Sequence, residues 1–543
     1  MGGEEPLSRL DGTRAGNPPP SRGKSTTSVA EEPRQVEAAQ PGTERNIEAE
    51  YSTEVAELLT EMQPTFALWR EREDNALLTV AAQVLPAMIA DLAASVGAEW
   101  GTLLEGDARA VGRAAQRAVQ RAGTAFILAA WQVQGHAAVP VDPEERPCCS
   151  ACGNKMKLVR ASQPRRLVGR LGTYELARPY YTCPQGHGGF CPADEAWGLG
   201  AGTLDPDLLE VVAGDGVESD FEQAREAVFR HLQVSVDDNT VERVTVGMGH
   251  VVRRQNERRA AVEARPLPPD PGSDIVLIEV DGGRVHAGGE WREVKVAAAG
   301  PLPPAKVVDK DTGRVHLSTG PLHYAADITD ADSFFAQGVR QVAENAGLFH
   351  PRVRTVVQLS DGGEWIENRW ASLGLPASVE VVDILDFRHL QQHIWAAAKA
   401  SWGDGSSRTK TWSKKQIDTV LGQGPQPLLD ELARIRPRRP EGREEMRKLG
   451  EYVSRNAHRL HYPEFIAREL PMGSGAIEAG VRVVNNERLK NACMHWSVAG
   501  ARAVLALRAV ALSPLRCWQA FWADRPWMER PSTRDLAPLR KVA

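Results

Sequence analysis

The stretch Asp274-Ile-Val-Leu-Ile-Glu-Val-Asp281-Gly-Gly-Arg284 decides how the centre of the chain folds. Its apolar run, interrupted only by Glu279, predicts a largely buried strand, and Gly282-Gly283 is expected to release the chain from that strand. The carboxylate of Asp281 would then stand at a rigid strand end, a common place for ligands and metals. An isolated acid followed by two glycines more often begins a turn. Further acids in matching positions are needed before a site can be inferred.

The same pattern recurs further along the chain. Residues 353–360 form a second apolar run, and it ends in Asp361-Gly362-Gly363. A third buried strand is predicted over 378–385, and it leads into Asp386-Phe-Arg-His389 and a helix to about residue 400. Because Asp361 repeats the setting of Asp281, the turn interpretation of either acid becomes the weaker one.

The segment between the two acids predicts further strands and a helix. Residues 291–296 and 313–318 have the character of strands, and residues 330–346 have helical spacing. Three strands, a helix, two more strands and a helix approximate the order of a ribonuclease-H-like fold. The sequence therefore predicts a multidomain α+β protein with a ribonuclease-H-like catalytic core, whose first part spans 272–400.

A third acid follows in Pro471-Met-Gly-Ser474-Gly-Ala-Ile-Glu478, where a Gly-Ser-Gly turn precedes a helix that Ser474 can cap. Helical spacing puts Glu478, Arg482 and Asn485 on one face. Taken alone, Glu478 would be interpreted as an ordinary glutamate on the surface of a helix. The same spacing puts an apolar set on another face: Ile477, Val481 and Val484.

A helical insertion is predicted over 401–470, followed by the final helix of the core at 471–515 and a C-terminal tail at 516–543. Nine basic residues stand against four acids between Arg434 and Arg459. This is the strongest local positive stretch, as a surface that follows a DNA backbone requires. A solvated helix face is the other interpretation.

The 543 residues carry a net charge of −6, with 42% hydrophobic and 25% charged residues, which is ordinary for a soluble protein of two to four domains. The negative balance does not indicate nucleic-acid binding, so any such site must be local and basic. No apolar run approaches the ~20 residues that span a bilayer, and the polar start is not typical of a signal peptide. A cytoplasmic protein with no membrane association is expected.

Five of the seven cysteines lie between Cys148 and Cys191, which is typical of a metal site and not of a disulfide framework. Two short cysteine loops flank a segment that alternates like a hairpin around Gly172, as in a zinc ribbon over 141–200. Reduced cysteines in a core are the alternative. A closed site of this kind binds structural Zn²⁺. The ligands assigned are Cys149, Cys152, Cys183 and His187, with Cys191 as the substitute should His187 not bind and Cys148 as a spare.

Helical regions flank the ribbon. Residues 1–46 lack periodic apolar positions and predict a disordered tail, and 47–140 predict packed helices. The region 201–265 contains two helices, at 221–232 and 235–244, that resemble a DNA-binding helix-turn-helix, although many helical hairpins share this pattern. Four arginines give the ribbon a basic edge suited either to phosphates or only to solubility: Arg160, Arg165, Arg166 and Arg170.

Together these motifs resemble the DDE transposases of bacterial insertion sequences, specifically the ISKra-type group related to Mutator-like elements. The resemblance covers roughly residues 60 to 530 and departs from the family in the second glycine after Asp281 and in Arg482 and Asn485-Asn486. The central residues that carry it are Val280-Asp281-Gly282, Asp361-Gly362-Gly363-Glu-Trp365-Ile366 and Leu385-Asp386-Phe-Arg-His389-Leu390. The more specific C-terminal block comprises 470–478, Arg488-Leu-Lys490-Asn-Ala-Cys-Met494-His-Trp496-Ser497 and 503–508.

The resemblance implies that Asp281, Asp361 and Glu478 form one carboxylate cluster that holds two Mg²⁺ (or Mn²⁺) ions ~4 Å apart. Asp281 would bridge both ions, and the other two acids would each hold one. Water would first release a 3′-hydroxyl at the element end, and that hydroxyl would then attack target DNA in line. Crowded acids repel strongly without a cation, and hard carboxylates suit magnesium.

The family also implies partners and supporting residues. The partners are double-stranded DNA, as terminal inverted repeats and target, and further copies of the chain in a homo-oligomer on DNA, associated with the nucleoid when acting. Asp386 and His389, at i and i+3, are expected to support the site or position DNA, with ordinary structural roles as the alternative. Arg488, Lys490 and Trp496 are expected to contact phosphate and a base, although Trp496 equally suits a core.

Two other functions fit the same sequence. One is a metal-dependent nuclease on the same fold that acts without strand transfer. The other is a domesticated, non-catalytic DNA-binding derivative of a transposase, against which the three intact acids argue.

Overall fold

The computed structural model describes residues 47–70, 76–261, 267–309, 313–491 and 494–529. The predicted disordered tail at 1–46 lies outside these residues, as does the end of the chain from 530. Within them the protein is a mixed α+β structure with a five-stranded sheet and a cluster of cysteine and histidine side chains.

The N-terminal region is helical, as predicted. Asp107 caps its last helix by accepting a hydrogen bond from the backbone N–H of Ala110 at 2.8 Å. That helix buries a row of alanines, which lets the neighbouring helices approach closely. The elements are α1 (Ile47–Arg70), α2 (Ala76–Ala98), α3 (Trp100–Glu105) and α4 (Ala108–Val133).

A small antiparallel sheet follows, built from β1 (Lys157–Gly169), β2 (Gly172–Thr182) and β3 (Gly189–Phe190). The hairpin turns at Gly172, whose φ of 129° favours glycine. It begins well before the alternating residues that predicted it, because β1 also contains the polar run from Lys157.

Helices α5 (Pro192–Ala196), α6 (Pro206–Glu218), α7 (Phe221–Leu232) and α8 (Asp238–Ala261) connect this sheet to the centre of the chain. The predicted helix pair at 221–232 and 235–244 is present, with the second helix starting at Asp238 and continuing to Ala261. A left-handed Gln233 (φ 57°) ends α7 and redirects the chain.

The central sheet contains β4 (Ile275–Ala287), β5 (Glu290–Pro301), β8 (His323–Asp327), β9 (Thr355–Ser360) and β10 (Glu380–Leu385). Its strand order is β10-β9-β4-β5-β8. Strand β5 is antiparallel to both of its neighbours, β4 and β8, whereas β9 pairs in parallel with β4 on one side and with β10 on the other. A separate hairpin joins β6 (Lys306–Val308) to β7 (Val315–Leu317).

Two sequence predictions about this sheet were wrong. The strand predicted at 313–318 is β7, which pairs only with β6, and the third antiparallel strand of the sheet is β8. The strand holding Asp281 does not end there, because β4 continues through Gly282-Gly283 to Ala287. Lys295 and Val294 of β5 pair with these glycines, so Asp281 lies inside a long strand.

Alternate residues of β4 enter different cores. Val276, Ile278 and Val280 pack on one face of the sheet, with the helices that follow β8. Leu277 faces the opposite side, where the predicted helical insertion packs.

The remaining α-helices of the described residues are α9 (Ala331–Phe334), α10 (Arg340–Asn345), α11 (Glu364–Glu367), α12 (Phe387–Trp402), α13 (Ser407–Gln423), α14 (Gln426–Arg434), α15 (Pro440–Arg455), α16 (Tyr462–Ala467), α17 (Gly475–Val481), α18 (Glu487–Leu489), α19 (Val498–Leu512) and α20 (Leu515–Ala523).

The segment assigned as a C-terminal tail contains α20, and its Phe521 and Trp522 are buried in a core shared with α6 and α8. In the described parts of the chain, no single helix has the length and apolar character needed to cross a membrane. One pair of helical segments, Val498–Leu512 and Leu515–Met528, has that length and apolar character only when the two are counted together, and a bend of 117° separates them.

Candidate active site

Asp281 occupies the middle of the central strand β4, opposite Val296 of β5. Its side chain is partly buried, and one carboxylate oxygen accepts a hydrogen bond from the backbone N–H of Gly282 at 2.6 Å. The strand therefore fixes the position of this acid on the face of the sheet that α17 and the helical insertion cover.

Asp361 follows β9, the strand next to β4. Its carboxylate accepts a hydrogen bond from the N–H of Gly363 at 2.9 Å, and its carbonyl oxygen accepts one from the hydroxyl of Tyr452 at 2.9 Å. Gly362 has φ 85°, and a Cβ there would lie 2.8 Å from Leu385. This turn therefore requires glycine and holds Asp361 against the insertion.

Glu478 lies in the first turn of α17 and is exposed. Ser474 stands at the N-cap position, but its side chain makes no capping hydrogen bond to the helix, contrary to the sequence prediction. The Ser474 hydroxyl instead lies 2.9 Å from a carboxylate oxygen of Glu478 and 2.9 Å from one of Asp386.

The charges of Asp361 and Glu478 act on Asp281. Burial, together with the negative charges of Asp361 and Glu478, raises the pKa of Asp281 to about 6, against the opposing effects of the Gly282 N–H and His389. These acids come from three distant parts of the sequence. Among the described residues, the ligand atoms of these three acids do not all lie within 4.8 Å of one another.

Asp386 is fully buried and caps α12 through the N–H groups of Arg388 and His389. Burial alone would raise its pKa, but hydrogen bonds, the first from His389, hold it below its usual value. His389 Nδ1 donates to Asp386 at 2.7 Å. This bond, together with the charges of Asp361 and Asp281, raises the pKa of His389 against the effect of burial. The structure thus places the predicted supporting pair beside the acids.

Glu279 is a fourth acid at this place, which the sequence interpretation passed over as an interruption. It is 1% exposed, and neither carboxylate oxygen has a hydrogen-bond partner. Burial, then the charges of Asp386, Asp281 and Glu478, raise its pKa to about 8, against the effect of the Ile477 N–H. The signal in the sequence was its spacing, because i and i+2 on a strand face the same side.

The second glycine after Asp281 has a packing reason. A Cβ at Gly283 would lie 3.0 Å from Nδ2 of Asn485 and 3.1 Å from Cγ1 of Val481. Asn485 is fully buried and donates to the carbonyl of Arg284 at 3.0 Å. The prediction that Asn485 shares one helix face with Glu478 and Arg482 was therefore wrong, because a π-helical turn at Arg482–Asn486 places Asn485 in the core while the other two are exposed.

Three further residues of the C-terminal block lie in different environments. Arg488 is 1% exposed, donates two hydrogen bonds to the carbonyl of Gly216, and stacks against Phe221 and Trp496. Trp496 is half-buried, and its Nε1 donates to Leu489 at 3.2 Å. Contact of Arg488 with DNA would require it to leave both rings. Lys490 is exposed.

Four of the nine basic residues in the basic stretch of the insertion are paired with acids: Arg447, Lys448, Arg455 and Arg459. Arg447 binds Glu444 and Glu451, and Lys448 binds Glu445. Arg459 is fully buried and is unable to face DNA. The exposed arginines of the stretch that have no acid paired to them among the described contacts lie in its first half: Arg434, Arg436, Arg438, Arg439 and Arg443.

Arg459 instead connects the insertion to the sheet. It donates to Asp383 at 2.8 Å and to the Ser360 hydroxyl at 2.7 Å, and it also binds Glu367. Burial lowers its pKa to about 10, which leaves it charged at neutral pH. Since Ser360 directly precedes Asp361, this arginine helps to fix the second acid.

The loops beside the small antiparallel sheet bring the four predicted ligands together. Cys149, Cys152, Cys183 and His187 offer ligand atoms that all lie within 4.8 Å of one another, a group that could bind a metal such as zinc. Cys191 is buried outside this group, so His187 takes the fourth position. Burial raises the pKa of Cys183, but hydrogen bonds from the backbone of His187 and Gln185 and contacts with the neighbouring thiols lower it to about 6.

The basic edge predicted on the ribbon is also partly paired. Arg165 binds Asp194 at 3.0 Å, and Arg170 binds Asp207 at 3.3 Å. Arg160 donates to Gln163 at 2.7 Å, and Arg166 is exposed.

No protein-family model matches this sequence, and no curated protein matches it.

Proposed function

We propose that this protein is a DDE-type DNA transposase, which cleaves the ends of a mobile element and joins the resulting 3′-hydroxyl to target DNA. The observation that carries the proposal is the gathering of Asp281, Asp361 and Glu478 around one face of the sheet, close enough for two of them to raise the pKa of the third. Acids from distant parts of a chain rarely meet unless a ligand requires them.

The strand order supports a ribonuclease-H-like core. The strands β4, β5 and β8 form an antiparallel meander. On the other side of β4, the sheet is extended by the parallel strands β9 and β10. Asp281 lies on the central strand and Asp361 just after its parallel neighbour. The insertion stands between Asp361 and Glu478, as it does in the predicted order of elements.

The residues present fit divalent cations of the magnesium type. The donor set is entirely carboxylate, which such hard ions prefer, and the buried Glu279 beside it has no partner. We propose that Asp281, Asp361 and Glu478 hold two Mg²⁺ (or Mn²⁺) ions, which activate the attacking oxygen and neutralise the leaving oxygen of a phosphodiester.

The neighbouring residues orient these acids. Ser474 and Asp386 fix the start of the helix that holds Glu478, and Asp386 orients His389 through Nδ1. The raised pKa of His389 favours a positive ring, which can attract a DNA phosphate toward the acids. Arg459 and Tyr452 fix the loop of Asp361.

DNA recognition is proposed for the zinc ribbon and the α7–α8 pair. A zinc ribbon held by the four clustered ligands would fold as a rigid module only with its metal bound. The duplex partners would be the terminal inverted repeats and the target, held by more than one copy of the chain. The exposed arginines at 434–439 offer further phosphate contacts.

A gel assay with labelled element-end DNA and Mg²⁺ tests this function. The flanking inverted repeats of the reading frame supply the substrate. A joined strand-transfer product supports a transposase, and cleavage without joining indicates a nuclease. A mobility shift with neither product indicates a non-catalytic binder and contradicts the proposal.

A further inference from the structure

Glu279 and Asp281 face the same side of β4, since they are two residues apart on one strand. The cross-strand neighbours of Glu279 are Ala298 on β5 and Leu359 on β9. The sheet therefore surrounds this carboxyl group with apolar side chains. Its own burial is nearly complete, at 1% exposed.

Three acids also lie near Glu279, in addition to Tyr324 and the backbone N–H of Ile477. Asp281, Asp386 and Glu478 all lie close enough for their charges to act on it. Neither oxygen makes a hydrogen bond of ordinary geometry, the Ile477 N–H being the nearest donor, and among the described contacts no basic side chain forms an ion pair with it. Asp386, by contrast, is equally buried but accepts hydrogen bonds from His389 and Ser474.

Such a group is costly in the folded protein. A buried carboxylate without a partner loses several kcal/mol of solvation, and acids of like charge nearby increase that cost. A divalent cation would offset it, because carboxylate oxygens are the preferred ligands of Mg²⁺ and its relatives. Asp386 is already satisfied by hydrogen bonds, so the unsatisfied acid next to Asp281 is Glu279.

We propose that Glu279 is a fourth carboxylate ligand of the divalent-cation site at Asp281. It would contact the ion from the more buried end of the site, on the same face of the sheet as Asp281. This inference rests on the proposed function, in that Asp281 is taken as a metal ligand. The inference goes beyond the proposed function because it adds a metal ligand to Asp281, Asp361 and Glu478. Glu279 and Asp281 stand on the same face of β4, roughly 7 Å apart along the strand, so an ion between their carboxyl groups can contact both.

Glu279→Gln tests the assignment, because glutamine has nearly the same shape and no charge. Mn²⁺ binding to the full-length protein is measured by calorimetry, with Glu290→Gln as a control, an exposed acid at the end of the same hairpin. We expect Glu279→Gln to weaken Mn²⁺ binding about 10-fold or more and the control to leave it unchanged. Unchanged affinity in Glu279→Gln would overturn the proposal and identify a neutral buried acid.

A crystal soaked in Mn²⁺ gives an independent answer if the variant fails to fold. Anomalous density roughly 2 Å from a Glu279 oxygen supports the proposal. Density at Asp281 and Asp361 that leaves Glu279 unbound overturns it while leaving the proposed function intact. A wild-type protein that binds no Mn²⁺ at any of these acids contradicts both.

Discussion

Asp386 accepts hydrogen bonds from both the backbone N–H and the hydroxyl of Ser474, at 3.2 and 2.9 Å. The same carboxylate caps α12, so it joins the helix after β10 to the helix that holds Glu478. The Ser474 hydroxyl also lies 2.9 Å from Glu478. One hydroxyl proton cannot serve two ionised carboxylates at once, so Glu478 is held loosely and is available to a ligand.

Ser474→Ala is expected to lower strand-transfer activity about 10-fold and stability by about 1 kcal/mol, since one hydrogen bond to a charged group is lost while the backbone bond to Asp386 remains. Activity and urea unfolding of the same preparation measure the two effects. Ser474→Thr keeps the hydroxyl and should retain most activity. Equal activity of the alanine variant and the wild-type protein would show that Ser474 does not position Glu478.

Arg459→Met is expected to destabilise the protein by about 3–5 kcal/mol, because Asp383 and Glu367 would lose their buried partner. Urea unfolding monitored by tryptophan fluorescence measures this loss. The control is Arg447→Met, an exposed arginine paired with two glutamates, for which about 0.5 kcal/mol or less is expected. Similar losses in both variants would contradict the assigned role of Arg459.

Metal content should depend on the ribbon ligands and not on the neighbouring cysteine. Cys183→Ser is expected to lose bound Zn²⁺ and to expose the segment 148–190 to protease, since a structural zinc site stabilises its module directly. Cys191→Ala should retain a full equivalent of zinc by atomic absorption, because it lies outside the ligand group. Loss of zinc in Cys191→Ala together with its retention in His187→Ala would reverse the assignment of the fourth ligand.

The metal-free protein should lose stability as pH rises from about 4 toward 8. The pKa of Asp281 is about 6 and that of Glu279 about 8 in the folded state, both above the usual values of about 4. The unfolded chain therefore releases these protons first, and the folded state is disfavoured progressively until its own groups ionise. Below about pH 4 this penalty is absent.

Thermal unfolding at several pH values in a chelating buffer checks this dependence. Asp281→Asn should flatten the curve between pH 4 and 6, and added Mg²⁺ should restore stability at pH 8. A wild-type midpoint that is unchanged by Mg²⁺ at pH 8 would show that the acids do not share a cation.

Several features of the site followed from the sequence for physical reasons. Asp281 and Asp361 each follow an apolar run that forms a buried strand, and the two strands are neighbours in the sheet, although only Asp361 stands at a strand end. The cysteine spacing likewise predicted the metal-ligand group, because each short loop supplies two ligands.

Other features depend on tertiary contacts that leave no local signal. From the sequence, Gly283 is expected to end the strand. In the structure the strand continues through it, and the absence of a side chain at Gly283 leaves space for the Asn485 side chain. Arg459 reads as part of a basic surface, yet it is buried among acids that are distant in sequence. Glu279 reads as a flaw in an apolar run, because nothing local shows that Asp281 and Glu478 surround it.

Strand transfer by Asp281→Asn tests the central claim most directly. Asparagine keeps the size and the hydrogen bond of the aspartate but removes the charge that a cation requires. With labelled element-end DNA and Mg²⁺, the wild-type protein should give a joined product, and Asp281→Asn should reduce it at least about 1000-fold while still shifting the DNA on a gel. Full joining activity in Asp281→Asn would contradict the account.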